Sequence, residues 1–233
     1  MKTIILAGGH GTRIAEYTKK IPKPMIKIRG IPLLTHIMRI FKSQGYKEFI
    51  IAAGYKNKII HDYYSKSKEF KNLKVINTGK KTMTGGRLKR LSKYLRDETF
   101  LMTYGDGISD VNIKKLIKFH KNQNKTVTLT AVRPPARFGA LKIKNNKVKY
   151  FKEKSKMDEG WINGGFFVLN PKIFNFLKND KTILEGYPLE KLAKANQLMA
   201  YRHKGFWYCM DTPRDKDSLE IIWRKKNVPW KKW

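Results

Sequence analysis

The chain opens on an unbroken apolar run, Ile4-Ile5-Leu6-Ala7, set between Thr3 and a cluster of glycines. A run without polar alternation suits a strand buried on both faces, so Thr3–Ala7 is predicted as a strand inside a covered sheet. The period then changes. Leu33, Leu34, Ile37, Met38 and Phe41 recur at helical spacing, and Gly45 supplies the stop. Glu48–Ala53 is again strand-like, Lys58–Tyr64 predicts a short helix, and Leu73–Asn77 another strand. Leu88, Leu91 and Leu95 share one face of a helix predicted over Gly86–Asp97. Thr99–Thr103 reads as a strand ended by Gly105-Asp106-Gly107. Asp110 is expected to cap a helix carrying Ile113, Leu116, Ile117 and His120, and Thr126–Val132 is the next strand.

Strand and helix alternate throughout this stretch, which predicts a parallel sheet with helices on both faces and right-handed crossovers. After Val132 the rhythm loosens. Ala140–Ile143 and Val148–Phe151 flank Asn145-Asn146, the signature of a hairpin turn. Ile162–Leu169 and Phe206–Met210 read as strands. Thr212-Pro213 is a helix start, a cap followed by proline at the first helical position, and Ile221, Ile222 and Trp223 give that helix an apolar side. The fold expected is one α/β domain over 1–233: a Rossmann-like mixed, mostly parallel sheet with helices on both sides, plus a smaller β-rich part from about Pro134. No internal repeat or low-complexity linker interrupts it.

Composition adds three limits. With 233 residues, 41% of them hydrophobic, the chain can bury one large core. No apolar run reaches the length of a membrane span, and the start MKTIILAGG breaks into glycines too early for a signal peptide. Cys209 is the single cysteine, which excludes an internal disulfide and a cysteine-based zinc site; a cytoplasmic protein is expected. The net charge of +33 raises nucleic acid as a partner, but the lysines are spread along the chain and gather on no one segment. Solvated helix faces account for them, and a phosphate-bearing substrate would gain from steering.

Gly8-Gly9-His10-Gly11-Thr12-Arg13 follows the first strand, at the carboxyl end where α/β sheets bind ligands. Its amides can face phosphate oxygens. A P-loop requires glycine where Arg13 stands, and a dinucleotide loop requires a third glycine where Ile14 stands, so neither fits. Lys20, Lys23, Pro22 and Pro24 occupy the stretch where such folds continue a helix; stiff, basic residues there suit an anion clamp.

Leu6–Arg13 (LAGGHGTR) with Pro22-Lys23-Pro24-Met25 resembles the sugar-nucleotide pyrophosphorylases, nucleotidyltransferases that join a nucleoside triphosphate to a sugar 1-phosphate. The likeness continues through Tyr104-Gly105-Asp106-Gly107, Arg137-Phe138-Gly139, Glu153-Lys154, Asn163-Gly164-Gly165 and Met210-Asp211-Thr212, nearly the whole chain and in order. Met83–Arg90 (MTGGRLKR), Asn163–Asn170 (NGGFFVLN) and Gly205-Phe206-Trp207 resemble the branch that transfers a cytidylyl group to glucose 1-phosphate.

The resemblance implies a nucleotide-diphospho-sugar transferase fold, with 1–133 mainly for the nucleotide and 134–233 mainly for the sugar phosphate. It implies CTP and glucose 1-phosphate as substrates, with UTP, dTTP or another hexose 1-phosphate as alternatives. It also implies Mg2+ held by Asp106 and Asp211, and a homo-oligomer. Arg13, Lys23 and Asp106 are the implied catalytic groups. Leu6, Ala7, Gly8, Gly9, Gly11, Thr12, Arg13, Lys23, Thr84, Gly85, Arg87, Tyr104 and Gly105 would bind the nucleotide. Gly139, Glu153, Lys154, Asn163 and Gly164 would bind the sugar phosphate. Trp207 stands either in the core or beside the site, and His10 is not expected to be catalytic. Two departures stand out. Ser155 replaces the proline common after Glu153-Lys154, and the Tyr64–Thr78 stretch is short for this branch, which bears on the oligomer and on the choice of CTP. A nucleic-acid-binding protein and a catalytically silent relative are the competing classes. The first lacks a clustered basic face, and the intact Arg13, Lys23, Asp106, Lys154 and Asp211 speak against the second.

Overall fold

The predicted strand Thr3–Ala7 forms and is buried along its whole length. In the computed structural model, which describes residues 1–96, 98–135, 139–152 and 160–233, it lies within a seven-stranded sheet. The order is Leu198–Arg202, Val127–Val132, Ile162–Leu169, Phe100–Tyr104, Thr3–Ala7, Phe49–Ala53, Leu73–Asn77. Every neighbouring pair is parallel except the two made by Ile162–Leu169, so the sheet is mixed and mostly parallel.

Successive residues of a strand point to opposite faces, and the core divides accordingly. Ile5, Ala7, Ile51, Ala53, Leu101, Phe166 and Val168 join one apolar cluster with Leu34, Ile37, Phe41 and Leu116 from the helices Leu33–Lys42 and Ile113–Gln123. Ile4, Leu6, Ile50, Ala52, Phe100, Met102 and Phe167 join the other, with Leu88, Leu189 and Leu192 from Thr84–Arg90 and Tyr187–Lys194. Helices therefore cover both faces. Phe49–Ala53 is buried throughout, whereas the edge strands Leu73–Asn77 and Leu198–Arg202 are only partly covered.

Several expectations change in detail. The helix predicted over Gly86–Asp97 is Thr84–Arg90 followed by a 3-10 turn, Ser92–Tyr94; Asp97 lies outside the described residues. Leu91 N donates to Leu88 O and Tyr94 N to Leu91 O, so tighter winding keeps Leu88, Leu91 and Leu95 buried together. Asp110 does not cap the next helix. Asn112 does, its Oδ1 accepting from Lys115 N at 2.9 Å, because the Asp110 carboxylate is already taken by Phe206 N at 2.7 Å and His203 Nε2 at 2.9 Å. Thr212 does cap the last helix, in a capping box with Asp215. That helix buries Leu219 and packs Ile222 and Trp223 against the core, but Ile221 points outward.

The hairpin forms as Ala140–Lys144 and Lys147–Lys152, with Asn145 and Asn146 at φ 50° and 58°, the left-handed pair a two-residue I′ turn requires. Between the helix Asn57–Ser65 and Leu73–Asn77, the short connection is pinned down. Arg39 grips the Glu69 carboxylate in a two-pronged contact at 2.9 and 2.7 Å, and Phe70 packs edge-on against Phe49 and Tyr64.

Candidate active site

Two parallel neighbours, Thr3–Ala7 and Phe100–Tyr104, end side by side, and their exits carry the two most conspicuous motifs. From the first, Gly8–Arg13 turns back over the sheet. Gly11 sits at φ +65°, and a Cβ there would lie 2.8 Å from Thr18 Cγ2, so only glycine allows this loop to close on the Lys23 segment. From the second, Gly105-Asp106 leads into Gly107–Ser109, which pairs with Trp207–Cys209. Met210 N donates to Asp106 O at 2.9 Å, which brings Asp211 next to Asp106 from a distant part of the chain.

Lys23 enters this junction on a 3-10 turn, Lys23–Met25, set up by the extended Pro22 and by Pro24. Its Nζ donates to Asp106 Oδ2 at 2.8 Å and to Asp211 Oδ1 at 2.6 Å, and Arg13 Nη1 donates to Asp211 Oδ2 at 2.7 Å. Burial acts to lower the Lys23 pKa, but the Asp106 and Asp211 contacts more than offset it and leave it raised. The ammonium is charged and held between two carboxylates.

Ligand atoms of Asp106, Cys209 and Asp211 lie within 4.8 Å of one another. Burial, then the neighbouring carboxylates, push the Cys209 thiol up, so it stays protonated and is no partner for a hard cation. The donors that remain are carboxylate oxygens from two sheet ends, already spanned by a lysine ammonium. That set fits an oxygen-seeking divalent cation.

Two clefts meet at this cluster. One, of about 530 Å³, is lined by the glycine loop with Leu6, Ala7, Thr12, Lys23, Thr82–Thr84, Arg87 and Gly105. The other, of about 870 Å³, is lined by Asn163, Gly164, Pro134, Trp207, Arg214 and Ser218 among others. Arg13, Tyr104, Asp106 and Asp211 line both and form the shared wall.

Arg87 stands at the floor of the smaller cleft, almost wholly buried. Its guanidinium lies against Gly8, where a Cβ would come within 2.1 Å, and donates to Gly8 O at 2.9 Å, Gly79 O at 2.7 Å, Ala53 O at 3.3 Å and Thr78 Oγ1 at 2.8 Å. Burial, then Arg90, lower its pKa. Its donors face three backbone carbonyls and the Thr78 hydroxyl, where the sequence suggested a base or a phosphate. Gly85 and Gly86 open the helix that carries it and face the 177–182 segment.

Tyr104 packs edge-on against Phe167 and donates its hydroxyl to Glu185 Oε1, while Asn163 Nδ2 lies 3.4 Å from that hydroxyl. Burial first, then Glu185, push the phenol well above its usual range, so it remains a donor. Trp207 takes both of the places expected for it: it packs against the core and walls the larger cleft, its Nε1 donating to Gly164 O at 2.7 Å. His10 packs against Tyr55 with the two rings tilted. Gly139 is half-buried at the start of the hairpin, while Arg137, Phe138, Glu153 and Lys154 lie outside the described residues. Sequence reading missed Glu185, Pro134, Arg214 and Ser218. None stands in a motif; only the folded chain brings Pro134, Arg214 and Ser218 to the larger cleft and Glu185 to the hydroxyls of Thr84 and Tyr104.

The Nucleotidyl transferase family matches residues 2–217. Glucose-1-phosphate cytidylyltransferase of Salmonella typhimurium is 47% identical over 256 aligned positions, covering 100% of both chains. Set against the 233 residues here, that alignment leaves 23 positions of the relative without a counterpart. A Bacillus subtilis protein described as a probable glucose-1-phosphate cytidylyltransferase is 39% identical, again over 100% of both chains. HddC from Yersinia pseudotuberculosis, solved in complex with GMP-PN, superposes with a TM-score of 0.76 at 28% identity, over 96% of this chain and 99% of its own. This chain therefore belongs to the nucleotidyl transferase family, in the branch of the glucose-1-phosphate cytidylyltransferases.

Proposed function

We propose that the protein transfers a cytidylyl group from CTP to glucose 1-phosphate, forming CDP-glucose and pyrophosphate. The observation that carries this reading is the pair of clefts with one shared wall of Arg13, Tyr104, Asp106 and Asp211. One cleft suits a triphosphate against glycine amides and the other a sugar phosphate, so their reacting ends meet at the charged cluster. An oxygen of the sugar phosphate attacks the α-phosphorus in line. The bond from that phosphorus to the oxygen bridging the β-phosphate breaks, and pyrophosphate leaves with the electron pair. The nucleophile is already anionic, so no enzyme base or covalent intermediate is required, and positioning and charge compensation carry the rate.

In this reading Leu6, Ala7, Gly8, Gly9, Gly11, Thr12, Tyr104 and Gly105 shape the nucleotide cleft, with Thr84, Gly85 and Arg87 holding its floor. Arg13 and Lys23 move from the carboxylates onto the phosphates when substrates enter. Asn163 and Gly164, with Gly139, Glu153 and Lys154 on the family pattern, serve the sugar phosphate. Asp106 and Asp211 are the groups to hold Mg2+, which when bound neutralises polyphosphate charge. Residues 1–133 supply most of the nucleotide side, and 134–233 most of the sugar side. A homo-oligomer is proposed on the exposed Leu141, Ile143, Val148 and Phe151 of the hairpin. A cytoplasmic site is proposed on the lone cysteine; among the described residues no helix is long and apolar enough to cross a membrane.

The same chemistry with UTP, dTTP or another hexose 1-phosphate is the second reading, favoured by the fold shared with a guanine-nucleotide complex. Pyrophosphate release, measured with glucose 1-phosphate and magnesium across CTP, UTP, dTTP, ATP and GTP, separates the two. Release with CTP alone is expected. Release with another nucleotide would transfer the assignment to that base, and release with none would remove glucose 1-phosphate as the acceptor.

A further inference from the structure

Glu185 belongs to no motif and sits in a loop between the 3-10 helix Pro171–Phe176 and the helix Tyr187–Lys194. Its two carboxylate oxygens nevertheless have separate and specific partners. Oε2 accepts from Thr84 Oγ1 at 2.6 Å, and Oε1 accepts from Tyr104 OH. Thr84 lines the smaller cleft, and Tyr104 lines both. The direction of the first bond is settled by its surroundings: Leu184 N donates to Thr84 Oγ1 at 2.9 Å, so the hydroxyl hydrogen is left for Glu185.

The loop does not reach this place by chance of one contact. Met83 N donates to Asp180 O at 2.8 Å and Gly86 N to Thr182 O at 3.1 Å. Lys89 Nζ donates to Leu177 O at 2.8 Å, and Arg90 grips the Asp180 carboxylate. Residues 177–185 thus form a cradle along the helix Thr84–Arg90, and Glu185 is the end of that cradle which crosses to Tyr104. Thr84 opens the helix whose Arg87 holds the Gly8 carbonyl. Tyr104 stands two residues before Asp106 and beside Asn163.

We infer that Glu185 is a positioning residue that ties the outer side of the nucleotide cleft, at Thr84, to the wall the two clefts share, and acts through Tyr104. Resting on the two-substrate reading above, the inference has a direct chemical ground. The reacting oxygen and the α-phosphorus approach from different clefts, and a misplacement of about 1 Å between them costs on the order of a hundredfold in rate. A carboxylate taking one hydroxyl from the smaller cleft and one from the shared wall fixes their separation. It touches no reacting atom.

The test is a double-mutant cycle with wild type, Glu185→Ala, Tyr104→Phe and the double variant, with Glu185→Gln as the conservative replacement. Expected in Glu185→Ala is a fall in kcat of about tenfold or more, with the KM for CTP within about threefold. Gln keeps one acceptor and should recover part of the loss. The double variant should be no slower than Glu185→Ala, because both changes cut one connection. Losses that multiply, or an unchanged kcat in Glu185→Ala, would overturn the inference. If the alanine variant does not fold, the glutamine variant carries the same cycle. Amide exchange supplies a readout without turnover: Leu184 N–H should exchange faster in Glu185→Ala, and unchanged exchange there would also overturn the tie. Absence of wild-type turnover with CTP and glucose 1-phosphate is a different failure. It removes the substrate reading, while the exchange measurement still decides the tie.

Discussion

Lys23 holds two carboxylates together with one ammonium, and Arg13 adds a second cation on the far oxygen of Asp211. A divalent cation arriving alone must displace that ammonium from a partly buried position. The same cation arriving on a triphosphate offers the lysine a new anion to hold. Lys23→Met is therefore expected to bind Mn2+ about tenfold tighter than wild type without nucleotide, as read by electron paramagnetic resonance, while losing turnover. Equal or weaker Mn2+ binding would show that the ammonium is no competitor. Asp106→Asn and Asp211→Asn should each abolish turnover with the unfolding transition intact, because each leaves the lysine one charged partner and, on the proposed assignment, the metal one carboxylate. Turnover retained in either variant removes that residue from the metal assignment. At this scale most of the cluster was legible in the sequence: glycine loops, Asp106 and Asp211 follow apolar runs and announce themselves. Arg87 was legible as a residue but not in its contacts. Nothing in MTGGRLKR tells that its guanidinium faces carbonyls and the Thr78 hydroxyl.

At the level of elements, Arg87 binds three separate pieces of chain, the glycine loop, the end of Phe49–Ala53 and the turn at Thr78-Gly79. Arg87→Met removes those donors from buried acceptors. A cost of about 2–4 kcal/mol is expected, seen as a lower urea midpoint at unchanged slope, together with a higher KM for CTP. An unchanged midpoint would mean that water replaces the guanidinium. Element boundaries illustrate why reading from sequence loses detail. The cap of Ile113–Gln123 passed from Asp110 to Asn112 because Asp110 is recruited by Phe206, 96 residues away. The local signal pointed to Asp110, and a remote backbone amide claims that carboxylate, which leaves the cap to Asn112.

Taken as a whole, the molecule contains a buried titratable group remote from the clefts. His36 is fully buried, with its Nε2 3.1 Å from Ile28 O and its ring against Trp223 and Trp230. Burial is the main cause that pulls its pKa down to about 4, with Arg39 acting in the same direction and Ile28 O and Glu220 against it. Above pH about 6.5 neither folded nor unfolded chain protonates this ring. Between about 6.5 and about 4 only the unfolded chain does, so stability falls as pH falls through that window, by up to about 3 kcal/mol. Urea midpoints from pH 7 to pH 4 should show this slope in wild type and lose it in His36→Gln. Parallel slopes in the two proteins would place the linkage elsewhere.

Short-range pattern suffices for the alternation of strands and helices, the sheet's two buried faces and the residue types that stand at the strand ends. Apolar period and turn residues act over a few positions, and those signals survive without a fold. The tertiary structure decided what no short-range signal carries: the antiparallel insertion of Ile162–Leu169, the meeting of Asp106 with Asp211, the lysine between them, and Glu185 between Thr84 and Tyr104. Each depends on contacts between residues far apart in the chain, and such contacts are chosen by packing of the whole core rather than by the pattern of any one segment.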